Sequence, residues 1–135
     1  MRLRALTTDD LEAVRRLRND NRHAFFDDRE ISADDHRRWF ERLSDRPITF
    51  YVLEEDSRVV GTISVTQTPH GREIGNLVLD REFRGRGLMR QAVLQLTSEP
   101  GTYVADVKPD NHASLSVFNA AGFSAELVRL RKSVP

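Results

Sequence analysis

The chain has no cysteine among its 135 residues, which excludes a disulfide framework, a thiol nucleophile and a cysteine-based metal site. Its four histidines are scattered, without the i, i+4 spacing of zinc ligands, and we therefore predict no metal site. Lysine and arginine total 21, and so do aspartate and glutamate. With no excess of positive charge, broad binding to nucleic acid or to an anionic membrane is not expected.

Long apolar runs, internal repeats and low-complexity tracts are also missing. No segment has the length of a membrane span or the layout of a signal peptide, so we expect a cytoplasmic protein. A length of 135 residues is typical of one domain with its own core, and we assign residues 1–135 to it. The hydrophobic content of 39% is ordinary for a globular domain.

The most informative stretch of the sequence is Leu77–Met89. Its apolar start predicts a buried strand over residues 77–79, which breaks at Asp80. A basic turn with two glycines follows at Arg84–Gly87, and apolar residues then recur at helical spacing. A strand, a glycine turn and a helix in this order direct the free N–H groups of a helix N-terminus at one point. Such a point attracts anions.

Two glycines and two arginines make this turn suitable for binding a phosphate group. Gly85 and Gly87 have no Cβ, so a phosphate can approach the backbone closely, and Arg84 and Arg86 add positive charge. The Gly-x-x-x-x-Gly-Lys-Ser/Thr run of a mononucleotide P-loop is missing, and Arg90 stands where the dinucleotide fingerprint needs a third glycine. The turn therefore indicates a pyrophosphate cradle of another kind. The alternative is a glycine turn that only starts a helix.

Arg84 and Gly87 fit a third pattern, Arg/Gln-x-x-Gly-x-Gly/Ala, and the turn resembles the acyl-CoA cradle of the GNAT superfamily of N-acyltransferases. Met89 departs from the small residue of the last position. A second segment, Asn111–Phe123, resembles that superfamily's closing motif, Asn-x-x-Ala/Ser-x-x-x-Tyr/Phe-x-x-x-Gly-Phe. Read by itself, it is a helix that is capped by its asparagine and closed by Gly122. The two motifs occur in the expected order and support one another.

The resemblance implies an acetyl-CoA-dependent N-acetyltransferase, with acetyl-CoA as co-substrate and direct transfer of the acetyl group to a primary amine. It also implies that a backbone N–H of the strand before the cradle holds the thioester carbonyl. The acetyl-CoA contacts expected on this basis are Leu77, Val78, Leu79, Arg84, Gly85, Arg86, Gly87, Leu88, Met89, Asn111, Ser114 and Phe118.

The patterns along the rest of the chain predict the order β-α-α-β-β-β-α-β-α-β. This is a mixed α+β fold, and the resemblance implies a GNAT-like central sheet, mostly antiparallel and twisted, with helices on both faces. The predicted strands cover residues 2–6, 48–53, 59–66, 73–79, 103–107 and 123–130. The predicted helices begin near Thr8, after Ser32, after Gly87 and after Asn111.

Acyl transfer to an amine needs a base, because an amine with a pKa of about 10.4 is protonated at neutral pH. Glu73 opens the strand that leads to the cradle, and we predict it to be the catalytic base. The alternative for Glu73 is a solvated carboxylate beside Arg72. Many superfamily members protonate the leaving thiolate with a tyrosine, but the matching Phe118 has no proton to give. A thiol of pKa about 8.5 can leave as a thiolate without that acid.

The acceptor side is expected to form from the first two helices and their connecting loop. Arg18, Asn19 and the segment containing His36 resemble, more narrowly, the sugar-nucleotide amine acetyltransferases of the pseudaminic acid type. This implies that all three residues contact a nucleotide-linked amino sugar, although another small amine also fits. His36 lies on an apolar helical face and is equally well a hydrogen-bonded core histidine, and Arg18 can simply solvate a helix end.

Several functions stay open beside this one. A non-catalytic GNAT-like module that binds CoA as a sensor has the same motifs, and so does an acetyltransferase for protein N-termini or ribosomal proteins. An Arg-Gly patch for RNA is disfavoured, since basic charge is not clustered elsewhere. A monomer and a homodimer are both compatible with the sequence.

Overall fold

The computed structural model describes all 135 residues, which form one five-stranded sheet with helices on both faces. The strands lie side by side in chain order, and every neighbouring pair is antiparallel except the last, β4 and β5. The elements are β1 Arg2–Ala5, α1 Leu11–Asp20, α2 Ala33–Leu43, β2 Ile48–Glu55, β3 Arg58–Thr68, β4 Gly71–Leu79, α3 Leu88–Leu96, β5 Tyr103–Val104 and α4 His112–Ala120.

Two of the predicted helix caps are formed by side chains. Ser32 Oγ accepts a hydrogen bond from Asp35 N at 3.2 Å, and Asn111 Oδ1 accepts one from Ser114 N at 3.1 Å. Each bond satisfies a backbone donor that the first turn of a helix leaves without a partner. The other end of α4 closes on Gly122, which has a φ of +95° as the C-terminal motif requires.

The core lies on both faces of the sheet. On one face α3 and α4 cover a cluster that includes Ile63, Ile74, Val93 and Phe118. On the other face α1 and α2 cover a smaller cluster of Val14, Phe50 and Val52, joined by Trp39. The fold class predicted from the sequence is confirmed, and no helix of the chain is both long and apolar enough to cross a membrane.

The predicted last strand is wrong. Residues 123–130 are not paired with any strand, and Leu127, Val128 and Leu130 are exposed by 72%, 85% and 90%. The alternating pattern is local, whereas a strand exists only if a partner offers its backbone groups. Phe123 instead packs its ring against Phe118 of α4, with 4.9 Å between the ring centroids. β5 is also shorter than predicted.

Candidate active site

β4 and β5 pair over only two residues and then separate. Their parallel contact joins Arg72 to Tyr103 and Glu73 to Val104, and no pairing follows along the rest of β4. The separation leaves a cleft with a cavity of about 200 Å³. The cavity walls come from β3, β4, the chain after β5, α4 and the loop between α1 and α2, and they include Phe25, Glu73, Asn76, Leu77, Asp106, Asn111, Ser114 and Phe118.

A bulge in β4 lies at the centre of this cleft. The register between β3 and β4 shifts between Thr62 and Ser64, so Asn76 and Leu77 face a single residue of β3. Asn76 has a φ of +54°, a left-handed backbone that non-glycine residues adopt at a cost of roughly 1–3 kcal/mol. Two buried hydroxyls hold it: Thr62 Oγ1 donates to Asn76 O at 2.7 Å, and Asn76 Nδ2 donates to Ser64 Oγ at 2.8 Å.

The predicted carbonyl-binding strand residues do not share one environment. Leu77 lines the cavity, whereas Val78 is buried in the sheet opposite Thr62 and Leu79 pairs with Gly61. The bulge therefore places Leu77, rather than its two successors, at the cleft.

The chain after β4 forms the cradle. Asp80 Oδ1 accepts from Glu82 N at 3.0 Å and starts a 3₁₀ turn at Arg81–Phe83. Gly85 and Gly87 follow with φ values of +79° and +74°, and nothing lies within 4 Å of where a Cβ would stand on either residue. The backbone N–H groups of residues 85–90 find no acceptor in the chain. A row of free donors beside open space at a helix N-terminus fits a pyrophosphate, as the sequence predicts.

The side chains of the cradle are engaged with other parts of the chain. Arg84 Nη2 donates to Asn21 Oδ1 at 2.6 Å, and Arg86 Nη2 donates to Glu82 O at 3.3 Å. Leu88 and Met89 are buried in the core at 7% and 6% exposure. Leu88 and Met89 can therefore contact an anion only through their backbone N–H groups. Because the side chain of Met89 is buried, its departure from the superfamily pattern leaves the cradle unobstructed.

Glu73 and Asp106 both line the cavity, and neither forms an ion pair. Burial raises the pKa of Glu73, and the negative charge of Asp106 raises it further. The neighbouring Arg72 does not neutralise Glu73, because its guanidinium donates to Tyr103 Oη at 2.9 Å and pairs with Glu99 at 3.4 Å. Glu73 is thus a half-buried carboxylate whose pKa lies closer to neutrality than that of an exposed glutamate.

None of the three predicted acceptor residues lines the cavity, although two of them hold its wall. Arg18 Nη2 donates to Asp27 O at 2.8 Å, and Asn19 makes two hydrogen bonds to the backbone of Ile31, at 2.8 and 3.0 Å. Both residues fasten the α1–α2 loop that carries Phe25. Arg18 Nη1 is buried without a partner.

His36 packs inside the helical layer instead. It is 4% exposed and its ring stacks on Trp39 with 4.9 Å between centroids. Burial lowers the pKa of His36, and the positive charge of Arg15 lowers it further.

A profile described as the acetyltransferase (GNAT) domain matches residues 1–124. The chain belongs to the GNAT acetyltransferase family. The predicted family and the acetyltransferase class are therefore confirmed. No curated protein matches this GNAT chain in sequence.

Solved structures share the fold of this GNAT domain. The ribosomal-protein-alanine N-acetyltransferase of Brucella melitensis aligns with a TM-score of 0.76 and 23% identity, over 92% of this chain and 85% of that one. The spermidine N-acetyltransferase of Vibrio cholerae, in complex with CoA and spermine, gives 0.77 and 19%, over 93% and 81%. The Salmonella typhimurium protein yncA, with its cofactor acetyl-CoA, gives 0.76 and 22%, over 92% and 79%. Likeness at these identities establishes the fold alone.

Sequence reasoning missed the buried hydroxyls of Thr62 and Ser64, the bulge at Asn76 and the carboxylate of Asp106. One signal for the bulge was present. Asparagine is depleted in strands and enriched among left-handed residues, and Asn76 directly precedes the apolar run. No local signal brings Asp106 to the same cavity as Glu73, because its position depends on where β5 ends.

Proposed function

We propose that this GNAT acetyltransferase moves the acetyl group of acetyl-CoA directly to the primary amine of a small molecule. The observation that carries the proposal is the continuity of cradle and cleft. Leu77 lines the cavity, and the free N–H groups of the cradle begin eight residues later, at Gly85. The turn that would bind the phosphates therefore directly follows the strand that lines the cleft in which the acetyl group would react.

The residues present fit acetyl-CoA. The N–H groups of residues 85–90 and the dipole of α3 bind the pyrophosphate, to which Arg84 and Arg86 add positive charge. Leu88 and Met89 contribute through the backbone. Asn111, Ser114 and Phe118 of α4 contact the arm that enters the cavity, and a backbone N–H among residues 77–79 holds the thioester oxygen. Bound acetyl-CoA supplies an electrophilic carbonyl carbon.

Glu73 acts as the base. It takes a proton from the ammonium form of the acceptor, directly or through water, and the neutral amine then forms the new C–N bond while the C–S bond breaks. The electron pair of the C–S bond leaves on sulfur, and the second proton, which the new amide nitrogen loses, passes to the thiolate or to water, so Phe118 needs no proton to give. Because burial and Asp106 raise the pKa of Glu73, the carboxylate is a stronger base than an exposed glutamate.

The acceptor we favour is a small cationic amine. Glu73 and Asp106 bring two carboxylates without cationic partners to the cavity, beside the ring of Phe25. A positively charged amine satisfies both. A nucleotide-linked amino sugar is the second candidate, supported by the buried, unpartnered Arg18 Nη1, which is a free donor for an anionic group. In that case Arg18 and Asn19 contact the sugar nucleotide, whereas His36, buried against Trp39, supports the helical layer.

Thiol release with a panel of amines tests the function. The panel contains spermidine, an aminoglycoside, a nucleotide-linked amino sugar and a peptide with N-terminal alanine, and the acceptor's mass gain is read in parallel. We expect the highest kcat/KM with the cationic small amines. Asp106→Asn should raise their KM several-fold, while Asp45→Asn, an exposed aspartate in a turn, serves as the control.

Calorimetry with acetyl-CoA separates this enzyme from a non-catalytic sensor module. Binding of acetyl-CoA without thiol release from any amine would favour the sensor. Preference for the alanine peptide would identify a protein N-terminal acetyltransferase instead.

A further inference from the structure

The bulge at Asn76 is held by side chains in a way that an ordinary bulge does not require. The usual residue at a left-handed bulge position is glycine. Here asparagine occupies it, with a φ of +54°, and its amide donates to Ser64 Oγ at 2.8 Å. Thr62 Oγ1 donates to the Asn76 carbonyl at 2.7 Å. The two β3 hydroxyls are 2% and 1% exposed as residues, so water does not compete for these bonds.

The bond from Thr62 fixes one peptide plane. The carbonyl of Asn76 and the N–H of Leu77 belong to the same trans peptide group and point in opposite directions. Because the carbonyl is drawn to a hydroxyl on β3, the N–H of Leu77 is turned away from β3. β5 and the cleft lie on that other side of β4, and Leu77 lines the cavity there.

We infer that Thr62, Ser64 and Asn76 form a lock that aims the Leu77 N–H at the thioester carbonyl oxygen. This rests on the proposed function and narrows it, since it selects Leu77 from the three strand residues 77–79 and names the residues that orient it. The three locking residues are positioning residues, because each acts through the Leu77 peptide. A donor held in place before the reaction stabilises developing negative charge without reorganising.

Thr62→Val tests the lock, because valine keeps the β-branched shape and removes only the hydroxyl. We expect kcat to fall about tenfold or more, while the acetyl-CoA Kd from calorimetry stays within about twofold of wild type. Thr62→Ser should restore most of kcat. Thr49→Val makes the same change at an exposed position of β2 and should leave kcat unchanged. Wild-type kcat in a folded Thr62→Val protein would overturn the inference.

The carbonyl stretch of bound acetyl-CoA labelled with ¹³C gives a direct readout. In wild type the stretch should lie at lower frequency than in water, and Thr62→Val should move it back toward the value in water. A lost kcat with an unchanged stretch would mean that Thr62 has only a structural role.

A measurement on the protein without acetyl-CoA tests the lock independently of the proposed function. The ¹⁵N shift of the Leu77 amide reports the orientation of its peptide plane. Thr62→Val and Ser64→Ala should both move it, and Thr49→Val should not. If acetyl-CoA fails to bind, the proposed function is wrong, but the Leu77 shift still shows whether Thr62, Ser64 and Asn76 orient the Leu77 peptide. If Thr62→Val does not fold, Ser64→Ala, which removes the partner of the Asn76 amide, gives the same decision, and an unmoved Leu77 resonance overturns the inference.

Discussion

The guanidinium carbon of Arg18 lies 3.2 Å from the centroid of the Phe25 ring. The same side chain donates a hydrogen bond to the Asp27 carbonyl, so Arg18 of α1 contacts the following loop at both Phe25 and Asp27. Phe25 lines the cleft and Arg18 does not. Arg18 therefore shapes the acceptor side through the aromatic ring that it holds.

Arg18→Ala should raise the acceptor KM about tenfold and leave the acetyl-CoA Kd unchanged. A desolvated cation–π contact contributes up to about 2 kcal/mol, and its loss frees Phe25 to leave the cavity wall. Steady-state kinetics with calorimetry on the same preparation measure both quantities. Arg37→Ala, an exposed change on α2, is the control. A weakened acetyl-CoA affinity with a constant acceptor KM would contradict this role.

Gly87→Glu should abolish acetyl-CoA binding in a folded protein. The open space above Gly87 would hold a side chain and a negative charge where the pyrophosphate is expected, and the φ of +74° disfavours any side chain. Calorimetry measures the loss and circular dichroism confirms the fold. Gly101→Glu introduces the same charge at another open glycine, in the turn before β5, and should bind normally. Undiminished affinity in the Gly87 variant would refute the cradle.

Glu73→Gln should lower kcat/KM at least about tenfold near pH 7, and the loss should shrink as pH rises and the amine deprotonates unaided. The wild-type rate should fall on the acid side at a higher pH than an exposed glutamate would give, because the Glu73 pKa is raised. Asp106→Asn removes one cause of that rise and should move the acid limb to lower pH. A pH profile of each protein checks this, and a wild-type rate for Glu73→Gln would leave water as the base.

His36 should make folding stability depend on pH. Its folded pKa is lowered by burial, so between its ordinary pKa of about 6.5 and that lower value the unfolded chain binds a proton that the folded protein excludes. Stability from His36 is thus present above about pH 6.5 and is lost as pH falls. Urea unfolding between about pH 7.5 and 5.5 should show the advantage of wild type over His36→Gln shrinking with falling pH. A constant difference would contradict it.

Features that depend on neighbouring residues could be predicted from the sequence. Features that depend on pairing between distant segments could not. Ser32 and Asn111 cap their helices as predicted, since a cap depends on residues within one turn. The bulge at Asn76 arises from a mismatch between β3 and β4, which neither strand reveals alone. Apolar spacing placed His36 on the buried face of α2 but did not say what would cover it. The glycine turn at the start of α3 was predictable because strand, turn and helix are contiguous in the chain.

Leu88 and Met89 are anchored in the core while their backbone N–H groups face the cradle. The two side chains therefore contribute to stability through packing, whereas binding of a pyrophosphate depends on the path of the main chain. Saturation mutagenesis at both positions should accordingly change melting temperature far more than affinity for acetyl-CoA.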